Sequence, residues 1–116
     1  MATDASFADY VLEQAGLREL APKRMFGEYA FYLGGKMVAV ACDNQLFVKP
    51  TDPGRSLLRR EPGHSPFPNA RPHFLIEGEL DDPPLLRRLL IETADALPVP
   101  APRKPRPRKP KATGTR

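Results

Sequence analysis

Runs of apolar residues alternate with two-residue polar or glycine spacers between Arg24 and Lys49, and this pattern predicts three short strands. The spacers are Gly34-Gly35 and Asp43-Asn44, and each lies between β-branched and aromatic residues. Two-residue loops of this composition suit the positive φ angles of primed hairpin turns. The stretch is therefore predicted to form an antiparallel meander.

Two-residue loops also fix the register of this meander. They place Phe31 opposite Val38, Tyr29 opposite Val40, and Val40 opposite Phe47. Because successive side chains point to opposite faces of a strand, all five of these residues are predicted on one large-residue face, with an alanine-rich face behind it. Neither face is polar, whereas a sheet with one wet face alternates apolar and polar residues. We expect helices over the large-residue face and a shallow contact, such as a dimer contact, on the other.

The remaining elements flank the meander. Residues 4–16 and 85–97 carry apolar stripes at helical spacing, and the Thr51-Asp52-Pro53 sequence predicts the start of a short helix over 53–60. Residues 73–77 are predicted to form a fourth strand. The order α-β-β-β-α-β-α belongs to the α+β class, with helices packed against an antiparallel sheet.

The first predicted strand contains a glycine between two aromatic residues, Phe26 and Tyr29. A glycine inside a strand often marks a bulge or a close approach of the backbone. We interpret Gly27 as a bend that fits the first helix against the sheet, with a binding role as the alternative. Arg24, Tyr29 and Arg59 are the candidate contact residues on the domain surface.

Charge divides the chain of 116 residues, whose formal net charge is +4, into two unlike parts. Residues 1–100 hold 11 Lys and Arg against 14 Asp and Glu, a balance of 11 − 14 = −3, and residues 101–116 hold the other 18 − 11 = 7 basic residues and no acidic one. From Pro98 onward, proline alternates with basic residues and large aliphatic residues are almost absent. We therefore predict a folded domain over 1–97 and a disordered basic tail over 98–116.

The tail has the composition of a nucleic-acid contact. Cations along an extended backbone can follow a phosphate strand or lie in a narrow minor groove, and the tract resembles AT-hook-like peptides, although it lacks their Gly-Arg-Pro centre. The alternative is a tail that only improves solubility. The nucleic-acid-binding candidates are Arg103, Lys104, Arg106, Arg108, Lys109 and Lys111.

Sequence motifs for catalysis or cofactor binding are not found. The chain has one cysteine, Cys42, and two histidines, His64 and His73, which do not form a metal-ligand pattern. It has no glycine-rich phosphate loop and no nucleophile elbow. We expect no catalytic residue, metal or cofactor. A single cysteine, the lack of a signal sequence and the lack of a membrane span predict a cytoplasmic protein without a membrane partner.

Three segments together resemble the N-terminal domain of the TfoX/Sxy family, bacterial proteins associated with regulation of competence for DNA uptake. They are RMFGEYAFYLGGKMVAVACDNQLFVKP (24–50), PFPNARPHFLIEGELDD (66–82) and the leucine-rich helix that follows. The resemblance implies a secretion-chaperone-like α+β fold and supplies no catalytic residues. The sequence departs from the family at Ala30, where glycine is usual, and in carrying the basic tail where the family's regulators have a second, helical domain.

These observations predict a non-enzymatic regulatory module, linked to transcription or competence, that contacts nucleic acid through its tail. Its sheet is expected to bind a protein partner or a second copy of the chain. The alternative is a protein-interaction or homodimerising domain with no role in DNA binding. No cofactor is implied by either function.

Overall fold

The computed structural model describes residues 2–98, and within them three helices pack against one face of a five-stranded antiparallel sheet. The α+β class is confirmed. The helices are α1 (Ala5–Ala15), α2 (Asp52–Leu58) and α3 (Pro83–Ala96), and a 3-10 turn (Gly78–Asp81) precedes α3. The strands are β1 (Ala21–Met25), β2 (Glu28–Leu33), β3 (Lys36–Cys42), β4 (Gln45–Val48) and β5 (Phe74–Ile76). Their order in the sheet is their order in the chain.

The strand β1 was not predicted. The glycine interpreted as a bend belongs instead to a hairpin turn, in which Phe26 and Gly27 have φ angles of 49° and 82° and Met25 pairs with Glu28. The predicted turns at Gly34-Gly35 and Asp43-Asn44 also have positive φ at both residues. Three turns of one kind therefore connect the first four strands.

The predicted register is right between β3 and β4, where Val40 lies opposite Phe47. Between β2 and β3 it is right only next to the turn, where Leu33 lies opposite Lys36, and is wrong beyond Tyr32. The pairing shifts by one residue at Phe31, which lies opposite Ala39 and not Val38. Tyr29 consequently lies opposite Ala41 rather than Val40. An extra residue in one strand turns the side chains that follow it to the other face of the sheet.

This shift corrects the predicted assignment of side chains to the two faces. Val40 and Phe47 were expected beneath the helices, but they belong to a separate cluster on the second face. Ala41 and Leu46, expected on the second face, are buried beneath the helices. The helices therefore cover smaller side chains of β3 than the sequence suggested. The strand residues of the main core are Phe31, Val38, Ala39, Ala41, Leu46, Val48, Phe74 and Ile76.

Local sequence explains where the helices begin and end. Gly16 ends α1 with φ of 61°, a conformation that glycine adopts without steric cost. The Thr51 hydroxyl accepts a hydrogen bond from the Gly54 amide (3.1 Å) at the start of α2. Gly54 also lets α2 approach the sheet closely, because a Cβ atom there would lie 2.8 Å from Cε2 of Phe74. The Asp82 carboxylate accepts from the Leu85 amide (3.3 Å) and caps α3.

The inner face of α3 contributes three fully buried leucines and one buried hydroxyl to the core. Thr93 Oγ1 is buried and makes no hydrogen bond within residues 2–98. A buried hydroxyl without a partner loses its hydration and gains nothing in return. Thr93 is therefore a locally unfavourable residue in an otherwise apolar contact.

We expect the substitution Thr93→Val to stabilise the protein by about 1 kcal/mol, because it replaces the hydroxyl by a methyl group of similar volume. The free energy of unfolding from urea titration measures the change. Thr93→Ala is the matched control: it also removes the hydroxyl but leaves a cavity, and should be less stable than Thr93→Val. Equal or lower stability of the valine variant would contradict the interpretation.

Candidate interaction surface

The second face of the sheet, opposite the helices, carries its own apolar cluster. Its buried members are Ala30, Val40, Cys42 and Phe47, and its half-buried members are Met25, Tyr32, Met37 and Leu75. The segment 61–72 lies beside this face. His64 and His73 hold the segment's two ends together as an antiparallel bridge, with His73 N donating to His64 O (2.8 Å) and His64 N donating to His73 O (3.1 Å).

A groove runs between the second face and this proline-rich segment, and it has two sections. The near section, about 440 Å³, is lined by Met37, Val40, Lys49, Pro50, Phe67, Ala70, Arg71, His73, Leu97 and Pro98. The far section, about 480 Å³, is lined by Met25, Phe26, Glu28, Tyr29, Val40, Cys42, Asp43, Pro66, Phe67 and Pro68. Because Val40 and Phe67 line both sections, we treat them as one second-face groove.

Two phenylalanines at this groove are exposed. The Phe26 side chain is 102% exposed at the tip of the β1–β2 turn, and Phe67 is 53% exposed. A bulky residue with positive φ is uncommon, since the left-handed conformation costs about 1–2 kcal/mol for residues other than glycine. Phe26 thus combines backbone strain with an unburied aromatic ring. Strain of this kind is a reason to look for function.

The N-terminal residues tie together two turns at the far section. The Thr3 amide donates to Gly27 O (3.0 Å), and the Thr3 hydroxyl donates to Glu28 Oε1 (2.6 Å). The same hydroxyl accepts from the Asn44 amide (3.2 Å), and Glu28 Oε1 also accepts from the Asp43 amide (3.1 Å). The turns at 26–27 and 43–44 are therefore held in a fixed relation.

The two histidines bridge the proline-rich segment through their backbones, and His73 is also buried. Its Nδ1 lies 2.8 Å from Arg71 O. Burial lowers the pKa of the His73 imidazole from its usual value of 6.5. A neutral ring is therefore favoured in the folded protein.

Cys42 also lines the far section, where it is nearly buried. Burial raises the pKa of its thiol above the usual value, and the negative charge of Glu28 adds to this effect. A thiol that stays protonated is a poor nucleophile. Within residues 2–98, no three His, Cys, Asp or Glu side chains are grouped so that they could hold a metal ion.

The structure brings two of the three predicted surface residues together. Arg24 on β1 lies directly opposite Tyr29 on β2, and Tyr29 lines the far section of the groove. Arg59 ends α2 with φ of 57°, and α2 packs against α3. Arg59 therefore lies at the end of a helix and is not a strand partner of Arg24 or Tyr29.

The two arginines near Arg59, Arg55 and Arg60, are both ion-paired with carboxylates. Arg55 pairs with Asp52 (2.9 Å) and Glu61 (2.8 Å). Arg60 pairs with Glu79 (2.9 Å) and donates to Leu75 O. Of the three, only Arg59 lacks an ion pair with the part of the chain that the structure describes.

The six predicted nucleic-acid-binding residues lie outside the described residues. They are Arg103, Lys104, Arg106, Arg108, Lys109 and Lys111, all beyond Pro98. Sequence reasoning kept a binding role at Gly27 only as the alternative to a bend. The extent of the second-face groove was not predicted, because its far section depends on the unpredicted Phe26 turn and on the position of Phe67.

The fold and the groove define a small α+β domain with an apolar surface beside its sheet. Residues 13–97 match the family described as "TfoX N-terminal domain", and the chain belongs to this family. The chain is also similar to a protein of Spirochaeta aurantia described as "Uncharacterized 12.7 kDa protein in trpE 5'region". The two are 45% identical over 114 residues, which are 97% of this chain and 98% of that protein. Among residues 2–98, no helix has the length and apolar character needed to cross a membrane.

Replacing Phe26 by a residue that tolerates positive φ should stabilise the fold. We expect Phe26→Asn to raise the free energy of unfolding by about 1 kcal/mol, because asparagine adopts the left-handed conformation more readily. The matched control is Asp43→Phe, which introduces phenylalanine at the equivalent position of another turn and should lower stability. Urea titration measures both, and unchanged stability of both variants would show that the turn is not strained.

Stability should fall in acid because of His73. The pKa of His73 is lowered in the folded state, so the unfolded chain binds more protons as the pH falls. The contribution of neutral His73 to the free energy of unfolding is therefore fully present above about pH 6.5, and it is lost as the pH falls through the folded pKa. We expect His73→Asn to reduce the dependence of the unfolding free energy on pH between neutral and mildly acidic solution. His64→Gln should leave the His73 contribution in place. An identical slope for wild type and His73→Asn would contradict the expected role.

Proposed function

We propose that the protein is a non-enzymatic regulatory module, linked to transcription or competence, that contacts nucleic acid through its basic tail. Membership of the TfoX N-terminal domain family supports the regulatory part of the proposal. The observation that carries the nucleic-acid part is the segregation of charge. Residues 101–116 hold seven basic residues and no acidic one, whereas the preceding hundred residues have a balance of −3.

This segregation of charge suggests different functions for the basic tail and for the folded domain. Seven cations in sixteen residues can neutralise several phosphates and release their counterions, a contribution to affinity that does not depend on base sequence. The domain adds no comparable cation cluster in its described part, because Arg55 and Arg60 are paired with carboxylates. The domain would instead recognise a protein through its sheet.

A second function, protein interaction or homodimerisation without nucleic acid, is favoured by a different observation. Phe26 and Phe67 expose aromatic rings on one apolar groove. Aromatic side chains at the centre of a surface patch frequently dominate the energy of protein association. In this case the tail is a solubilising extension and its charges are dispensable.

Titration of fluorescently labelled duplex DNA, followed by anisotropy, separates the two functions. We expect binding by the full chain to weaken steeply with salt, with log K falling by about 0.9 per phosphate neutralised for each unit of log[salt]. Substituting glutamine for the six tail cations Arg103, Lys104, Arg106, Arg108, Lys109 and Lys111 should abolish binding.

The control for this titration is the double variant Arg24→Gln/Arg59→Gln, which removes two domain cations and should retain most of the affinity. Binding that survives loss of the tail cations would overturn the proposal. A dimer or a partner complex that persists without them, with no DNA binding by the native chain, would establish the second function.

A further inference from the structure

We propose that the second-face groove is the docking site of residues 98–104 of the same chain, the proline-containing segment that begins the predicted tail. The inference concerns an intramolecular contact and does not depend on the nucleic-acid role proposed above. Four observations carry it: where the described chain ends, how charge is distributed along the groove, how long the groove is, and which side chains line it.

The described chain ends in the groove itself. Leu97 and Pro98 line its near section together with Met37 and Lys49. The segment that follows Pro98 therefore starts on this apolar surface and needs no connecting loop to reach it. A binding segment that is already tethered at its site has a high effective concentration there.

Charge along the segment complements charge along the groove. The near section holds the cations Lys49 and Arg71, and the first residues of the segment, PVPAP (98–102), are uncharged. The far section is lined by Asp43 and by Glu28, whose carboxylate also accepts hydrogen bonds from Thr3 and Asp43, and the segment becomes basic at residues 103–104. Docking in the opposite direction would place the basic residues against the cations of the near section.

The lengths also agree. Met37 in the near section and Asp43 in the far section are 43 − 37 = 6 residues apart, roughly 20 Å at about 3.3 Å per strand residue. Pro98 and Lys104 are likewise 104 − 98 = 6 residues apart, roughly 19 Å at about 3.1 Å per residue in the polyproline II conformation. The basic residues thus reach the carboxylates as the prolines cross the apolar part.

The groove has the composition that suits such a segment. Phe67 lies where the two sections meet, and Phe26 lies at the far section. Aromatic-lined grooves bind proline-rich segments because the polyproline II helix loses little conformational entropy on docking. The exposed ring of Phe67 would then contact proline rings of the same chain.

Paramagnetic relaxation in the full chain tests this contact. A nitroxide is attached at Pro107→Cys in a Cys42→Ala background, and amide intensities are compared with those after reduction of the label. We expect the amides of Phe26 and Asp43 to lose most of their intensity, whereas the amide of Val11 in α1 keeps its intensity. No loss at the far section, or equal loss over the whole surface, would overturn the proposal.

Charge reversal provides the matched control. Arg103→Glu/Lys104→Glu should remove the intensity loss at the far section, and Arg108→Glu/Lys109→Glu, with the same change in charge beyond the docked segment, should leave it. Loss seen on an isotopically labelled chain mixed with a separate spin-labelled chain would assign the groove to a second copy and overturn the intramolecular contact.

A second readout keeps the native cysteine. Because Cys42 lines the far section, its rate of reaction with a disulfide reagent reports access to the groove. We expect the rate to rise several-fold with Arg103→Glu/Lys104→Glu and to stay unchanged with Arg108→Glu/Lys109→Glu. Equal rates in all three chains would overturn the proposal independently of the labelled variants.

Discussion

The register of the meander determines the rest of the structure. Three two-residue turns with positive φ fix how β1 to β4 pair, and one shift at Phe31 alters that pairing between β2 and β3. Because strand side chains alternate, this single shift decides which of them meet the helices and which form the second-face groove. Val40 and Phe47 lie in the apolar cluster of the second face, and Ala41 and Leu46 lie in the main core, as a direct result.

Much of the fold could be predicted from residues whose conformational preferences are strong. The glycine pair and the Asp43-Asn44 pair identified two turns, and Thr51 with the Asp52-Pro53 that follows it identified the start of α2. The third turn was missed because phenylalanine is unfavourable at positive φ. The register shift was missed because Val38 lies in a continuous apolar run, where any register buries apolar side chains.

The candidate site was less predictable than the fold. Tyr29, one of the residues predicted at the domain surface, lines the groove, but the groove also requires residues distant in sequence, including Phe67 and the bridged pair His64 and His73. Such a surface arises from tertiary structure and has no local sequence signature. The segregation of charge, by contrast, can be counted in the sequence itself. The tail could therefore be proposed as a separate functional part from the sequence alone.

The Thr3 hydrogen bonds have a practical consequence for handling the protein. Thr3 is buried and bonded to the turns at 26–27 and 43–44, so the N-terminal backbone emerges at the far section of the groove. Any affinity tag or fusion partner joined ahead of it would begin next to Phe26. Such an addition would crowd the second-face groove, and purification should therefore use a cleavable tag or none.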